Sequence, residues 1–504
     1  MDLNVVLFWM ALISGIALIV RGLQYRHGTR GWLVLGLGLV GTGGMLHHIA
    51  PDVAGDVLGG LWALTVLLPM GLSRRVNALL YRQQFAQART PARLLAWLHP
   101  GDSVPQYARL VEALGFEQAG RHEEARAILM ALSNSAFADT AYGFLCRIDG
   151  RWADLAARYR TRPAGHDVNL NLLYLRSLGE TGDTAEMVAH FERVQGLGVP
   201  HWYPLAHFFA LAFLGQREAV ERLLAGPLAL WPKPGADYWR ATCLLARGDA
   251  AGAEDLLVPL EGCPDMLVAA QAARRRAHPN SSPQGVDPAQ VAGVVADAEH
   301  HVRYAPARTP RNAVILLVVA NVLMFSLELA GGGSMDEGSL MRLGALMPDL
   351  VVAGQAWRLL AAAFLHYGWL HLTMNMFALL VLGPYVESRL GSLRFLLLYL
   401  LVGVLDNALY VVLAVSGHAA QELLVGASGA IMGLVGVSAA IFLRGWRQEK
   451  SSLARRNLFN MVFLVGLQSV FDLNVPQVSF LCHILGVLTG FGLGWLASQG
   501  QTPA

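Results

Sequence analysis

The 504-residue chain is poor in charge. Asp, Glu, Lys and Arg make up 15% of it and hydrophobic residues 54%, against about 25% charged in an ordinary soluble protein. That balance argues against a wholly soluble chain and against disorder. The formal net charge of +2 gives no electrostatic footprint for nucleic acid or for acidic partners. Lysine is nearly missing: Lys233 and Lys450 are the two in the chain, so the positive charge is almost all arginine, which reads as codon usage before function. The four cysteines, Cys146, Cys243, Cys263 and Cys482, form no C-x-x-C, and no Cys/His cluster has zinc spacing, which argues against a disulfide framework and a structural zinc. No H-E-x-x-H occurs, and Asp406 stands alone among the apolar runs, which disfavours metal-dependent and aspartyl chemistry in the membrane. No metal and no cofactor is expected.

What is present is apolar sequence in runs of membrane-crossing length, which requires about 20 residues. Three lie early, at Val5–Val20, Trp32–Leu46 and Val57–Leu72. Six lie late, at Ala313–Ala330, Leu370–Val386, Leu393–Val415, Val425–Leu443, Leu458–Val470 and Phe480–Ala497. The first has no basic start and no A-x-A site, and reads as an anchor rather than a signal peptide. From 311 onward there are 10 Arg/Lys and 9 Asp/Glu in 194 residues. With nine spans, the basic clusters at Arg21–Arg30, Arg74–Arg82, Arg303–Arg311, Arg389–Arg394 and Arg444–Arg456 all fall on one side. The positive-inside rule makes that side cytoplasmic and the N-terminus external. The expected architecture is all-α: a polytopic membrane bundle (1–75 and 306–504) carrying a cytoplasmic helical insert (76–305).

The insert repeats. Glycines at 120, 150, 182, 215 and 248 are spaced by 30, 32, 33 and 33 residues. Most separate two amphipathic runs, such as Leu110–Gln118 and Glu124–Leu132. Five residues after each stands Ala125, Leu155, Met187, Val220 or Ala253, small or apolar where two helices would meet. The period resembles that of tetratricopeptide repeats, without their full consensus. Stacked helix pairs present a concave surface suited to a protein partner; the alternative is a plain helical spacer.

Polar residues within spans are costly and mark function by default. Ser428 opens the seventh span within Gly426-Ala427-Ser428-Gly429, with Gly433 and Gly436 continuing a small-residue stripe. His483 opens the ninth, with Gly486, Gly490 and Gly494 on its face. Glycine faces let helices approach closely. Both spans start outside, so hydroxyl and imidazole share a depth near the outer surface, where the imidazole can take the serine proton. Singly, each has an ordinary reading, as packing or as a satisfied polar contact. His371 and Asn375, one turn apart in the fifth span, both offer donors to a developing oxyanion.

With those residues in hand, 312–497 resembles the rhomboid family of intramembrane serine proteases. The matching stretches are Trp357-Arg358, His366 with His371 and Asn375, Gly383-Pro384-Tyr385-Val386-Glu387-Ser388-Arg389-Leu390-Gly391, Gly426-Ala427-Ser428-Gly429, and His483 with Gly486 and Gly490. The resemblance implies Ser428 as nucleophile, His483 as general base, and an oxyanion hole from the Ser428 N–H with the His371 and Asn375 side chains. It gives Trp357 and Arg358 a structural role after the first core span, and has Glu387 pair with Arg389 on the cytoplasmic side. Two positions depart from the family: Met432 stands where some members carry an aromatic, and Cys482 where alanine is usual. Positions −4, −3 and +4 from His483 are Ser479, Phe480 and Val487, so a dyad without a third acid is expected.

The function expected is therefore cleavage of transmembrane protein substrates within the lipid bilayer, near the outer face of a bacterial plasma membrane. The alternative is a non-catalytic membrane adaptor that binds client spans and recruits partners through its repeats.

Overall fold

The computed structural model describes residues 3–24, 30–161, 167–196, 203–280, 282–304, 312–475 and 478–498. Among the described residues there is no strand; one isolated antiparallel bridge joins Leu346 and Leu424. Eight helices are long and apolar enough to cross a membrane: Leu3–Leu23, Arg30–Ile49, Pro51–Tyr81, Asn312–Ala330, Gly368–Leu390, Ser392–Val415, Ser428–Glu449 and Phe480–Ala497. The second run, Trp32–Leu46, is among them, within Arg30–Ile49.

The count differs from nine at one place. Leu458–Val470 lies in a continuous 23-residue helix, Ser452–Asn474, which falls short of membrane-span hydropathy. The reason is its composition: Asn460 and Gln468 interrupt the apolar run, Asn457 and Asp472 flank it, and Arg455 and Arg456 stand near the helix start.

The chain divides into two compact units. One comprises Met1–Ile13, Leu46–Asp56 and Arg303–Ala504, the other Ser14–Met45 and Val57–Val302. In the first, the helix Asn312–Ala330 shows how the bundle is organised. Val314, Leu317, Asn321, Phe325 and Glu328 are buried, while Leu316, Val319, Leu323 and Leu327 are exposed. Both sets recur at three- and four-residue spacing, so one helical stripe faces the bundle and the other its apolar surround. Val6 near the N-terminus packs against Phe471 and Val475 at the end of Ser452–Asn474.

Closest packing is between Ser428–Glu449 and Phe480–Ala497. A Cβ placed on Gly486 would lie 2.2 Å from the Gly429 carbonyl oxygen, and one on Gly490 2.0 Å from that of Gly433. The two backbones touch directly, an approach that any side chain at these positions would prevent.

In the second unit, helices of eight to seventeen residues run from Phe85–Leu98 to Pro288–Tyr304. Gly120, Gly150, Gly182, Gly215 and Gly248 each follow a helix with φ between 69° and 81°, the left-handed closure that glycine adopts without strain. Ala125, Leu155, Met187, Val220 and Ala253, five residues on, are each at most 1% exposed.

Candidate active site

Ser428 is the first residue of its helix. The chain reaches it through Gly426, whose φ of +134° is closed to most side chains. The Gly426 amide donates to Ala362 O at 2.9 Å, and Leu424 exchanges two backbone hydrogen bonds with Leu346. These bonds pin the approach to the serine. A helix start leaves its first amides without intrahelical partners and carries a partial positive charge, which suits the Ser428 N–H to receive negative charge.

His371 stands against this turn. A Cβ on Gly426 would lie 2.9 Å from His371 Nε2 and 3.7 Å from Ser428 Oγ, so ring and hydroxyl converge on the same glycine. The Tyr367 amide donates to His371 Nδ1 at 3.3 Å. In the neutral ring this leaves the proton on Nε2, the nitrogen facing the glycine. One turn on, Asn375 is buried, and its Nδ2 has no hydrogen-bond partner among the described residues. A buried, unanswered amide donor is costly unless something arrives to accept from it.

His483 sits in the first turn of Phe480–Ala497, where Ser479 Oγ caps the helix by accepting from the Cys482 amide at 3.3 Å. Because Gly486 abuts Gly429, the first turns of the two helices lie side by side. Among the described residues no hydrogen bond joins Ser428 Oγ to His483.

The expectation of a dyad without an acid is corrected here. Asp472 Oδ2 lies 2.7 Å from His483 Nδ1, with both side chains nearly fully buried. Gln468 Nε2 donates to the other carboxylate oxygen at 2.8 Å. Asp472 is eleven residues before His483 and on the preceding helix, beyond the neighbouring positions −4, −3 and +4. The signal that could have found it was present: an aspartate at the end of an apolar run, at the depth of the histidine.

Arg358 is buried, and its Nη1 donates to the carbonyls of Met341 and Ala345, both at 2.8 Å. Trp357 is half exposed and lies over Gly344, where a Cβ would meet its ring at 2.3 Å. Both hold the loop after Asn312–Ala330. The expected pairing of Glu387 with Arg389 is replaced by a helix cap. The Glu387 carboxylate accepts from the amides of Ala313 and Val314 at 2.9 and 3.1 Å and from Ser392 Oγ at 2.7 Å. Ala313 and Val314 are in the first turn of their helix, where orphan amides favour a carboxylate over a second side chain. His366 is fully buried and its amide donates to Glu328 at 2.9 Å. Asp406 adjoins the serine turn: a Cβ on Gly429 would fall 1.8 Å from its Oδ2.

Residues 353–500 match the family model described as Rhomboid domain. Over 165 residues the chain is 37% identical to "RHOMBOID-like protein 6, mitochondrial" of Arabidopsis thaliana, covering 32% of this chain and 50% of that protein. It is 35% identical over 162 residues to "Rhomboid-like protease 1" of Toxoplasma gondii, covering 32% and 53%. It is 32% identical over 176 residues to "Rhomboid protease GluP" of Bacillus subtilis (strain 168), covering 35% and 33%. The chain thus spans about half or less of the length of these curated relatives. With eight candidate spans and a Rhomboid domain, it is a multi-pass integral membrane protein.

Proposed function

Starting from a Rhomboid domain at residues 353–500, we propose that the protein is an intramembrane serine endopeptidase that cleaves transmembrane segments of substrate proteins. The observation that carries this reading is the imidazole of His483, held by Asp472 through Nδ1 at the start of a helix whose backbone abuts the start of the serine helix. With its Nδ1 proton directed to the carboxylate, the ring offers Nε2 as a base. Ser428 Oγ attacks the scissile carbonyl while His483 Nε2 takes its proton. The tetrahedral oxyanion is received by the Ser428 N–H, His371 Nε2–H and Asn375 Nδ2–H. His483 then gives the proton to the leaving amine. Water, activated by the same ring, hydrolyses the acyl-enzyme and restores the serine. The serine–histidine hydrogen bond, which the free site does not make, forms when substrate closes the site.

In this reading the helix Ser452–Asn474 completes a six-span core. Its polar end is tolerated because Asp472 is satisfied by His483 and Gln468. The distribution of basic residues supports a cytoplasmic side for residues 76–305 and a site near the opposite face. The repeat reading of that region is supported by its five left-handed glycines and the buried residue five positions after each. A partner or a substrate's cytoplasmic tail on its concave face is part of the proposal.

Ser428→Ala should abolish cleavage of a single-span reporter in proteoliposomes while the protein still inserts. Unchanged cleavage refutes the assignment. A fluorophosphonate probe separates enzyme from adaptor: labelling lost in both Ser428→Ala and His483→Ala supports the enzyme, and an intact, inserted protein that takes no label supports the adaptor.

A further inference from the structure

Far from Ser428 in sequence, a second cluster of chemistry-bearing side chains is buried in the helical insert. His207 lies in the helix Tyr203–Phe213, Asp297 and His301 one turn apart in the helix Pro288–Tyr304. His207 Nε2 is 2.9 Å from Asp297 Oδ2, and His301 Nδ1 is 3.8 Å from the same oxygen. One ligand atom from each of the three lies within 4.8 Å of the others, and the two rings are 4.9 Å apart, centre to centre. His207 is 0% exposed and His301 4%.

We propose that His207, Asp297 and His301 form a binding site for a divalent transition-metal ion, Zn²⁺ being the natural occupant for this ligand set. Two imidazoles and one carboxylate are a recurrent zinc set with a fourth position open to water. Ligands about 2.0–2.2 Å from a tetrahedral ion stand about 3.4 Å apart, and the separations of 2.9 and 3.8 Å to Asp297 Oδ2 fall either side of that value. Two neutral imidazoles and one carboxylate carry a single negative charge, which a divalent cation reverses. His301 Nδ1 also lies 3.0 Å from the Asp297 backbone carbonyl, a bond it would exchange for the ion on binding. The Phe191 ring lies edge-on to His207 at 4.8 Å, and Val294 and Ala298 are buried on the other helix. Such an apolar shell limits water and strengthens each metal–ligand bond. The ion would tie helices 90 residues apart in sequence and so stabilise the end of the insert that leads into the membrane core.

Full-length protein in detergent, stripped with chelator and dialysed, is titrated with Co²⁺ and then Zn²⁺. The expected result is one Co²⁺ per chain with the intense visible bands of a tetrahedral site, bleached by Zn²⁺. Asp297→Asn and His207→Asn, each checked by circular dichroism, should weaken binding by more than about 100-fold, beyond the loss from disturbing only a ligand's support. His278→Ala, on the surface, should leave it unchanged. A wild-type protein that gives no such bands overturns the proposal. So does a spectrum that survives in both cluster variants. If a variant fails to fold, the wild-type titration still decides, together with a Zn²⁺-dependent rise in melting temperature that His301→Gln should reduce.

Discussion

Asp472 changes what His483 is. A histidine in a membrane helix with no acid can rotate, exchange tautomers and take up protons without direction; one bonded at Nδ1 is fixed in orientation and tautomer. Asp472→Asn keeps the size but reverses the hydrogen bond, favouring the tautomer whose Nε2 carries the proton. It should lower kcat by up to about 10⁴-fold with a much smaller change in KM, read on a single-span reporter. A fall of less than about threefold would leave the carboxylate a packing contact. Asn375 sits one step further out. Removing one oxyanion donor costs about 10²–10³-fold in kcat elsewhere, and Asn375→Ala is expected to fall in that range with the protein's melting temperature nearly unchanged, because its Nδ2 has no partner to lose among the described residues.

At the level of elements, the site depends on two helices touching through backbone. Gly486→Ala would push a methyl group into the Gly429 carbonyl, 2.2 Å away. The helices must then separate, and overpacking of this kind costs about 1–3 kcal/mol. The prediction is a lowered melting temperature together with lost cleavage, since Ser428 and His483 ride on the same two turns. Gly492, where an added Cβ meets nothing within 4 Å, is the control: Gly492→Ala should leave both measurements unchanged. A Gly486→Ala protein with normal activity would show that the contact is not needed for catalysis.

At the scale of the whole molecule, the helical region from Phe85 to Tyr304 brings its own pH dependence. His190 is buried in the insert. Desolvation, with Arg193 adding to it, lowers its pKa from 6.5 to about 4. Between those values the unfolded chain binds more protons than the folded one, so stability is complete above about pH 6.5 and falls as pH drops toward 4. The full loss is about 3 kcal/mol. Protease susceptibility of the insert should therefore rise as pH falls through that window, and His190→Gln should flatten the change. Function should divide along the same line. Deleting residues 80–300 is expected to alter which substrates are cut while a generic single-span reporter is turned over as before; identical cleavage of every substrate would make the insert passive.

Residues close in sequence were legible in the sequence itself. The apolar runs, the helix start at Ser428, the first turn that carries His483, the one-turn spacing of His371 and Asn375, and the glycines that let two helices touch are all set by local periodicity and side-chain size. Tertiary structure decided what joined positions far apart or on different helices. It brought Asp472 to His483 from the preceding helix. It turned Glu387 from Arg389 to the orphan amides of Ala313 and Val314, and assembled His207 with Asp297 and His301 over 90 residues. No spacing rule reaches such pairs, because burial rewards a polar group for finding any partner in space, and which partner lies near is fixed by how the helices pack.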